Sequence, residues 1–148
     1  MLANAEVNVN WCLIHATHVT DAEIAALAAS GAVAGLCPVT EANLGDGIFP
    51  AVRYFEAGGR IATGTDSNIL IDPAQELRAL EYSQRLSHRA RNLLASDARP
   101  SVGRSLFDAA HSGGAQALGA MQGLAVGMSA DIVTLDSGNS ALYGRSGD

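Results

Sequence analysis

Residues 11–19, WCLIHATHV, form a compact apolar run with β-branched side chains, and Thr20 follows as a candidate N-cap with Glu23 three positions on. This order predicts a strand feeding a helix. In the helix, DAEIAALAAS, apolar residues recur at Ile24, Leu27 and Ala28, and Gly31 stands where a left-handed cap would stop it. The next run, AVAGLCP, shows no clean alternation, which predicts a strand covered on both faces. Pro38 ends its ladder because it has no N–H to donate.

A polar, glycine-bearing stretch over 39–47, VTEANLGDG, reads as a loop. IFPAVRYFEAGG then reads as a short helix with Pro50 near its first turn, and RIATGTD over 60–66 as a third strand. Strand and helix alternate with short links, predicting an α/β layer of parallel strands joined by right-handed crossovers. Asp72 is placed to cap a long helix over 73–94, whose Leu77, Leu80, Ser83/Gln84 and Leu86 give a partial stripe strengthened by Leu93 and Leu94. Its acids, Glu76 and Glu81, precede Arg85, Arg89 and Arg91, an order that suits the helix dipole and reads as a solvated face. Ser101 caps a further helix over 102–119, with Gly113-Gly114 as a break or close-packing point. Glycine turns, a strand over 131–136 and a polar Gly/Ser-rich tail complete the chain. No internal repeat is visible.

The 148 residues, 48% of them hydrophobic and 16% charged, suit one globular domain with a real core. Nine arginines, no lysine and fifteen acids leave a net charge of −6, which argues against a nucleic-acid partner. No apolar run approaches the roughly 18 to 20 residues that span a bilayer, and the first ten residues lack a basic and apolar leader pattern, so no membrane partner and a cytoplasmic location are expected. Cys12 and Cys37 lie in apolar runs without CxxC spacing and read as buried free thiols.

Candidate chemistry collects at the carboxyl ends of the predicted strands, where parallel α/β sheets place their ligands: His15, then Cys37-Pro38 with Thr40 and Glu41, then Asp66 with Ser67. Alternation would put His15 and Thr17 on one face, with His18 already in the turn. Taken singly, His15 also reads as a satisfied core histidine and Asp66 as a turn cap. His88 and His111 fall in predicted helices without a metal-ligand partner at i+4 and read as helix-surface or interhelical residues.

Taken in order, IHATHVT, LCPVTEANLGDGIFP and GTDSN resemble strands six, seven and eight of an amidohydrolase-superfamily barrel. The longer words WCLIHATH, GLCPVTEANLGDGIFPA, ELRALEYSQRL, ARNLL and SLFDAAHSGGAQALG look like the formimidoylglutamate deiminase family, from about Leu2 to Asp148. The resemblance implies an α/β fold, the C-terminal portion of a metal-dependent (β/α)8 TIM barrel over 1–120, with 121–148 starting the return to a small β-sandwich. It implies a zinc enzyme that hydrolyses N-formimidoyl-L-glutamate, a small-molecule substrate of histidine degradation, to N-formyl-L-glutamate and ammonia. His15 would be the sixth-strand histidine that orients the attacking water and the tetrahedral intermediate. Asp66 would be the eighth-strand aspartate, at once metal contact and proton acceptor. Thr40, Glu41 and Asn43, with Ser67 and Asn68, would line the substrate pocket. Glu41 would repel an anionic substrate unless it meets the cationic formimidoyl group or faces away.

That family holds its one zinc with a His-x-His pair on the first strand and a histidine on the fifth, and uses a nearby Glu as acid/base; none of these is matched by His88 or His111. A complete barrel needs about 250 residues. The expectation is therefore a fragment with half a site, no turnover by itself, and an open barrel edge prone to self-association. Two alternatives stand beside it. One is a related aminohydrolase acting on guanine-like, other purine or triazine rings, since HATH, CP and GTDS recur across that group. The other is a noncatalytic α/β interaction module in which His15 and Asp66 are idle.

Overall fold

The computed structural model describes residues 4–146, so the two ends of the resemblance, residues 1–3 and 147–148, lie outside the described residues. Three short strands, β1 (Cys12–Ile14), β2 (Val33–Leu36) and β3 (Arg60–Thr63), pair in parallel in the order β1-β2-β3. Register sets Leu13 beside Ala34 and Ala34 beside Ile61, a row that faces the main core. Helices α1 (Asp21–Ser30), α3 (Ala51–Glu56), α4 (Pro73–His88) and α5 (Val102–Leu118) send Ile24, Leu27, Ala51, Tyr54, Leu80 and Leu106 onto that row. The expected α/β fold with a parallel sheet is present.

Local sequence sets most of the boundaries. Thr20 and Glu23 form a reciprocal capping box, and Gly31 closes α1 at φ 72°, a conformation that costs glycine nothing. Asp72 caps α4 and Ser101 caps α5, each accepting backbone N–H groups that have no partner within the helix. At the sheet, Tyr54 is fully buried, meets Phe49 edge-to-face at 5.2 Å, and donates its hydroxyl to Ala32 O at 3.2 Å. This pairing satisfies the one polar atom of a large core side chain.

Several expectations are corrected. The 39–47 loop is largely a helix, α2 (Pro38–Leu44), because Pro38 occupies its first turn and the missing N–H costs nothing there. The first and third strands are shorter than the 11–19 and 60–66 runs. The long helix ends at His88 rather than 94, where Arg89 takes the left-handed conformation at φ 54°. Leu86 is exposed and leaves the stripe, and of the charge run only Arg89 and Arg91 face solvent, because the acids Glu76 and Glu81 are buried. Each buried group answers neighbouring backbone: Glu81 accepts from Leu93 N and Leu94 N, and Gln84 donates to Phe49 O. Residues 131–136 form no strand, and Ile132, Val133 and Leu135 are exposed, because none of the three described strands pairs with them. No helix is long and apolar enough to cross a membrane among the described residues.

Candidate active site

The carboxyl ends of the three strands carry the site. Beyond β1 the backbone does not alternate as the apolar run suggests: His15 and Ala16 both sit at positive φ, 67° and 52°. His15 N–H still donates to Gly35 O at 2.8 Å, which continues the ladder, and Ala16 N–H turns back to Ile14 O at 3.0 Å. His15 is therefore swung off the strand, not held on one face with Thr17. Past β3, Gly64 N–H donates to Leu36 O at 3.0 Å, and Asp66 again has a left-handed backbone at φ 50°. Such conformations cost about 1–3 kcal/mol each in a non-glycine residue and persist where surrounding structure imposes them. Three of the five described instances fall at these strand ends; the other two, Arg89 and Asn92, lie just after α4.

The strain has a result. His15 Nε2 lies 3.8 Å from Asp66 Oδ2, joining two positions far apart in sequence at the open end of the sheet. That separation exceeds a hydrogen bond, yet leaves both groups able to touch one reacting atom between them. Both side chains are half-buried. On the other side of the ring, His15 Nδ1 lies 3.2 Å from Glu41 Oε1, and that same oxygen accepts Cys37 N–H at 2.8 Å. Glu41 is only 4% exposed.

The remaining expected residues are placed differently. Thr40 is buried and donates its hydroxyl to Thr65 O at 3.0 Å, tying α2 to the segment after β3. Ser67 is exposed and reaches Asp66 Oδ1 at 3.5 Å, while Asn68 Oδ1 accepts Leu70 N–H in a local turn. Asn43 and His18 face solvent, as do His88 and His111 on their helices. Cys12 and Cys37 are free thiols, Cys37 buried and Cys12 half-buried. Burial first, then the negative charges of Glu41, Asp66 and Glu76, push the Cys37 thiol up to about 11, so it is no nucleophile at neutral pH.

Glu76 was not visible as part of this neighbourhood. It is 1% exposed, its Oε2 accepts Val39 N–H at 2.9 Å, and its Oε1 has no partner among the described residues. The available signal was spacing: Glu76, Leu80 and Gln84 recur at i, i+4 and i+8 and face one side of α4. Burial pushes the Glu76 carboxyl above its usual range, reinforced by the Glu41 charge and opposed by the Val39 N–H. A carboxyl raised on folding contributes stability below its unfolded value that is lost as pH rises through the folded one. Glu76→Gln is accordingly expected to gain on the parent chain in urea-denaturation midpoint between acid and mildly alkaline pH. A midpoint difference that does not vary with pH contradicts this.

A tetrahedral zinc site takes three or four protein donors, and no group of three or more His, Cys, Asp or Glu able to hold a metal occurs among the described residues. His15 and Asp66 do not make such a site by themselves.

The chain is 55% identical to formimidoylglutamate deiminase of Pseudomonas aeruginosa over 98% of its own length and 32% of that protein. It superposes on a crystal structure of an amidohydrolase from Brucella melitensis with a TM-score of 0.77 and 58% identity, covering 80% of this chain and 26% of the other. An adenosine deaminase from Xanthomonas campestris with bound zinc gives a TM-score of 0.63 and 28% identity, over 76% of this chain and 25% of that one. The chain thus spans about a third of the length of the curated relative. The Amidohydrolase family model matches residues 4–145, and with these likenesses it shows that the chain belongs to the amidohydrolase family.

Proposed function

We propose that this chain supplies the His15–Asp66 part of an amidohydrolase active site whose whole reaction is hydrolytic deimination of N-formimidoyl-L-glutamate to N-formyl-L-glutamate and ammonia. The observation that carries the reading is the approach of His15 Nε2 to Asp66 Oδ2, 3.8 Å apart at the carboxyl ends of β1 and β3. The choice of substrate rests on the 55% identity to the Pseudomonas aeruginosa protein. In the complete enzyme the three strands would be the sixth to eighth of a (β/α)8 barrel over 1–120, with 121–148 returning to a β-sandwich where Ile132, Val133 and Leu135 meet partner strands. Isolated, β1 and β3 each have one described strand neighbour, and self-association through the free edges is the proposed consequence.

Hydrolysis adds water across the C=N bond of the formimidoyl group and breaks the bond to nitrogen, which leaves as ammonia with a proton. Asp66, half-exposed at the open end, takes a proton from the attacking water. His15 directs Nε2 at the same point, where its lone pair orients the attacking water for addition to the formimidoyl carbon. Zinc, the proposed cofactor, supplies Lewis-acid polarisation when bound and would take most of its donors from outside this chain, with Asp66 the contact assigned within it.

The test replaces the matching third of the Pseudomonas aeruginosa enzyme with this chain. The chimera is expected to bind zinc and release ammonia from N-formimidoyl-L-glutamate. A folded, zinc-loaded chimera that spares this compound and deaminates a purine nucleoside instead would transfer the reading to the purine-type aminohydrolases.

A further inference from the structure

We propose that Glu41 is a positioning residue for His15: its carboxylate holds the imidazole proton on Nδ1 and so keeps Nε2 unprotonated and aimed across the gap to Asp66. The inference rests on the reading of His15 as a working group of the site and goes beyond it by giving Glu41 a role other than substrate contact.

Glu41 lies in the first turn of α2, where its backbone N–H already donates to Cys37 O at 2.8 Å. A carboxylate buried to 4% exposure needs hydrogen bonds to remain ionised, and Cys37 N–H at 2.8 Å supplies one. The second comes from a different element: His15 Nδ1, 3.2 Å away on a residue 26 positions earlier. Helix capping alone would not call for this partner. The backbone of His15 is also committed, since its N–H is held by Gly35 O at 2.8 Å and its φ is 67°. Only the side-chain torsions remain to be set, and the bond to Glu41 sets them.

The chemistry then follows from what each atom can do. An ionised carboxylate only accepts hydrogen bonds, so the ring nitrogen facing it must carry the proton. In a neutral imidazole the other nitrogen is then bare, and which nitrogen is bare is decided by the partner of its twin. Here the bare one is Nε2, facing Asp66 Oδ2 at 3.8 Å, a distance at which the two acceptors do not bond each other. In water a free neutral imidazole carries its proton mainly on Nε2, the arrangement that would leave His15 unable to accept a proton at the site. Glu41 reverses that preference. The opposite geometry, with Glu41 reaching a cationic substrate group, has little surface to work through, because the side chain is 5% exposed.

The readout is the histidine ring nitrogen spectrum of the 15N-labelled full chain at a pH where the ring is neutral, with His15 identified by the signals lost in His15→Asn. The native chain is expected to show Nδ1 protonated and Nε2 bare by roughly tenfold or more, as a charge-assisted bond to Nδ1 would give. In Glu41→Ala the preference inverts toward Nε2–H. In Glu41→Gln, whose amide oxygen still accepts, Nδ1–H persists. A native His15 with its proton on Nε2 overturns the proposal, as does an Ala variant that keeps the native backbone amide spectrum and still holds Nδ1–H. Should the Ala variant not fold, the native tautomer and the Gln variant decide. No ammonia is measured, so a failed deiminase assay leaves this result standing and a failed tautomer leaves the deiminase reading standing.

Discussion

Asp66→Asn, placed in the chimeric enzyme, is expected to lower kcat/KM for N-formimidoyl-L-glutamate by roughly 10²- to 10⁴-fold, the range associated with removing a group that transfers a proton in the transition state. The substitution is chosen because, apart from the zinc contact proposed for Asp66, little else should change. Asp66 has φ 50°, and asparagine tolerates that left-handed conformation as well as aspartate does. Its side chain is half-exposed, and its hydrogen bond with Ser67 Oγ is long, at 3.5 Å. Asn keeps the shape and this contact but cannot take a proton from water. Thermal unfolding and zinc content of the same sample separate the effects: a rate loss with an unchanged midpoint and full zinc loading supports the assignment. A loss below tenfold would remove Asp66 from the chemistry.

The second large effect is structural. A Cβ added at Gly113 would land on Ile61 O, 2.6 Å from Ile61 C and 3.3 Å from Ala62 N, all of them backbone atoms of β3. No rotamer of the new side chain relieves this, and the strand cannot retreat because Ile61 is fully buried in the core. Helix α5 must lift off the sheet, which loosens Leu106 as well. Gly113→Ala is expected to cost about 3 kcal/mol or more, at the upper end of overpacking penalties, and to lower the melting temperature by roughly 10 °C. The adjacent Gly114 has open space at the same position, so Gly114→Ala is expected to be neutral or to stabilise α5 by up to about 1 kcal/mol through helix propensity. Equal melting temperatures for the two variants would refute the close-packing account.

Much of this arrangement was legible in the chain. Thr20 with Glu23, Gly31, Asp72 and Ser101 announce their helix ends because capping is a local bargain between neighbouring residues. The Gly113-Gly114 pair also signalled a break or a close approach, and the structure selects the approach at Gly113. Other features were hidden for equally physical reasons. Glu76 and Glu81 look like a wet surface by composition, and only the backbone groups of Val39, Leu93 and Leu94 lying opposite make their burial favourable. Residues 131–136 carry a strand's composition, but composition alone does not pair a strand, and none of the three described strands takes them as a neighbour.

At the candidate site the division is sharper. His15 and Asp66 could be named from their places after apolar runs in an alternating strand and helix order, and their family resemblance could be read from words such as HATH and GTDS. The sequence by itself thus determined the α/β class, the parallel order and the two side chains at the sheet's carboxyl end. Which way those side chains point was decided only by tertiary structure. The turn at His15 and Ala16 takes both off the strand's alternation, and the burial of Glu41 against His15 Nδ1 depends on α2 docking beside β1. Periodicity describes a regular backbone, whereas positive φ angles and buried carboxylates exist where distant elements meet and impose them, so neither leaves a mark in local spacing.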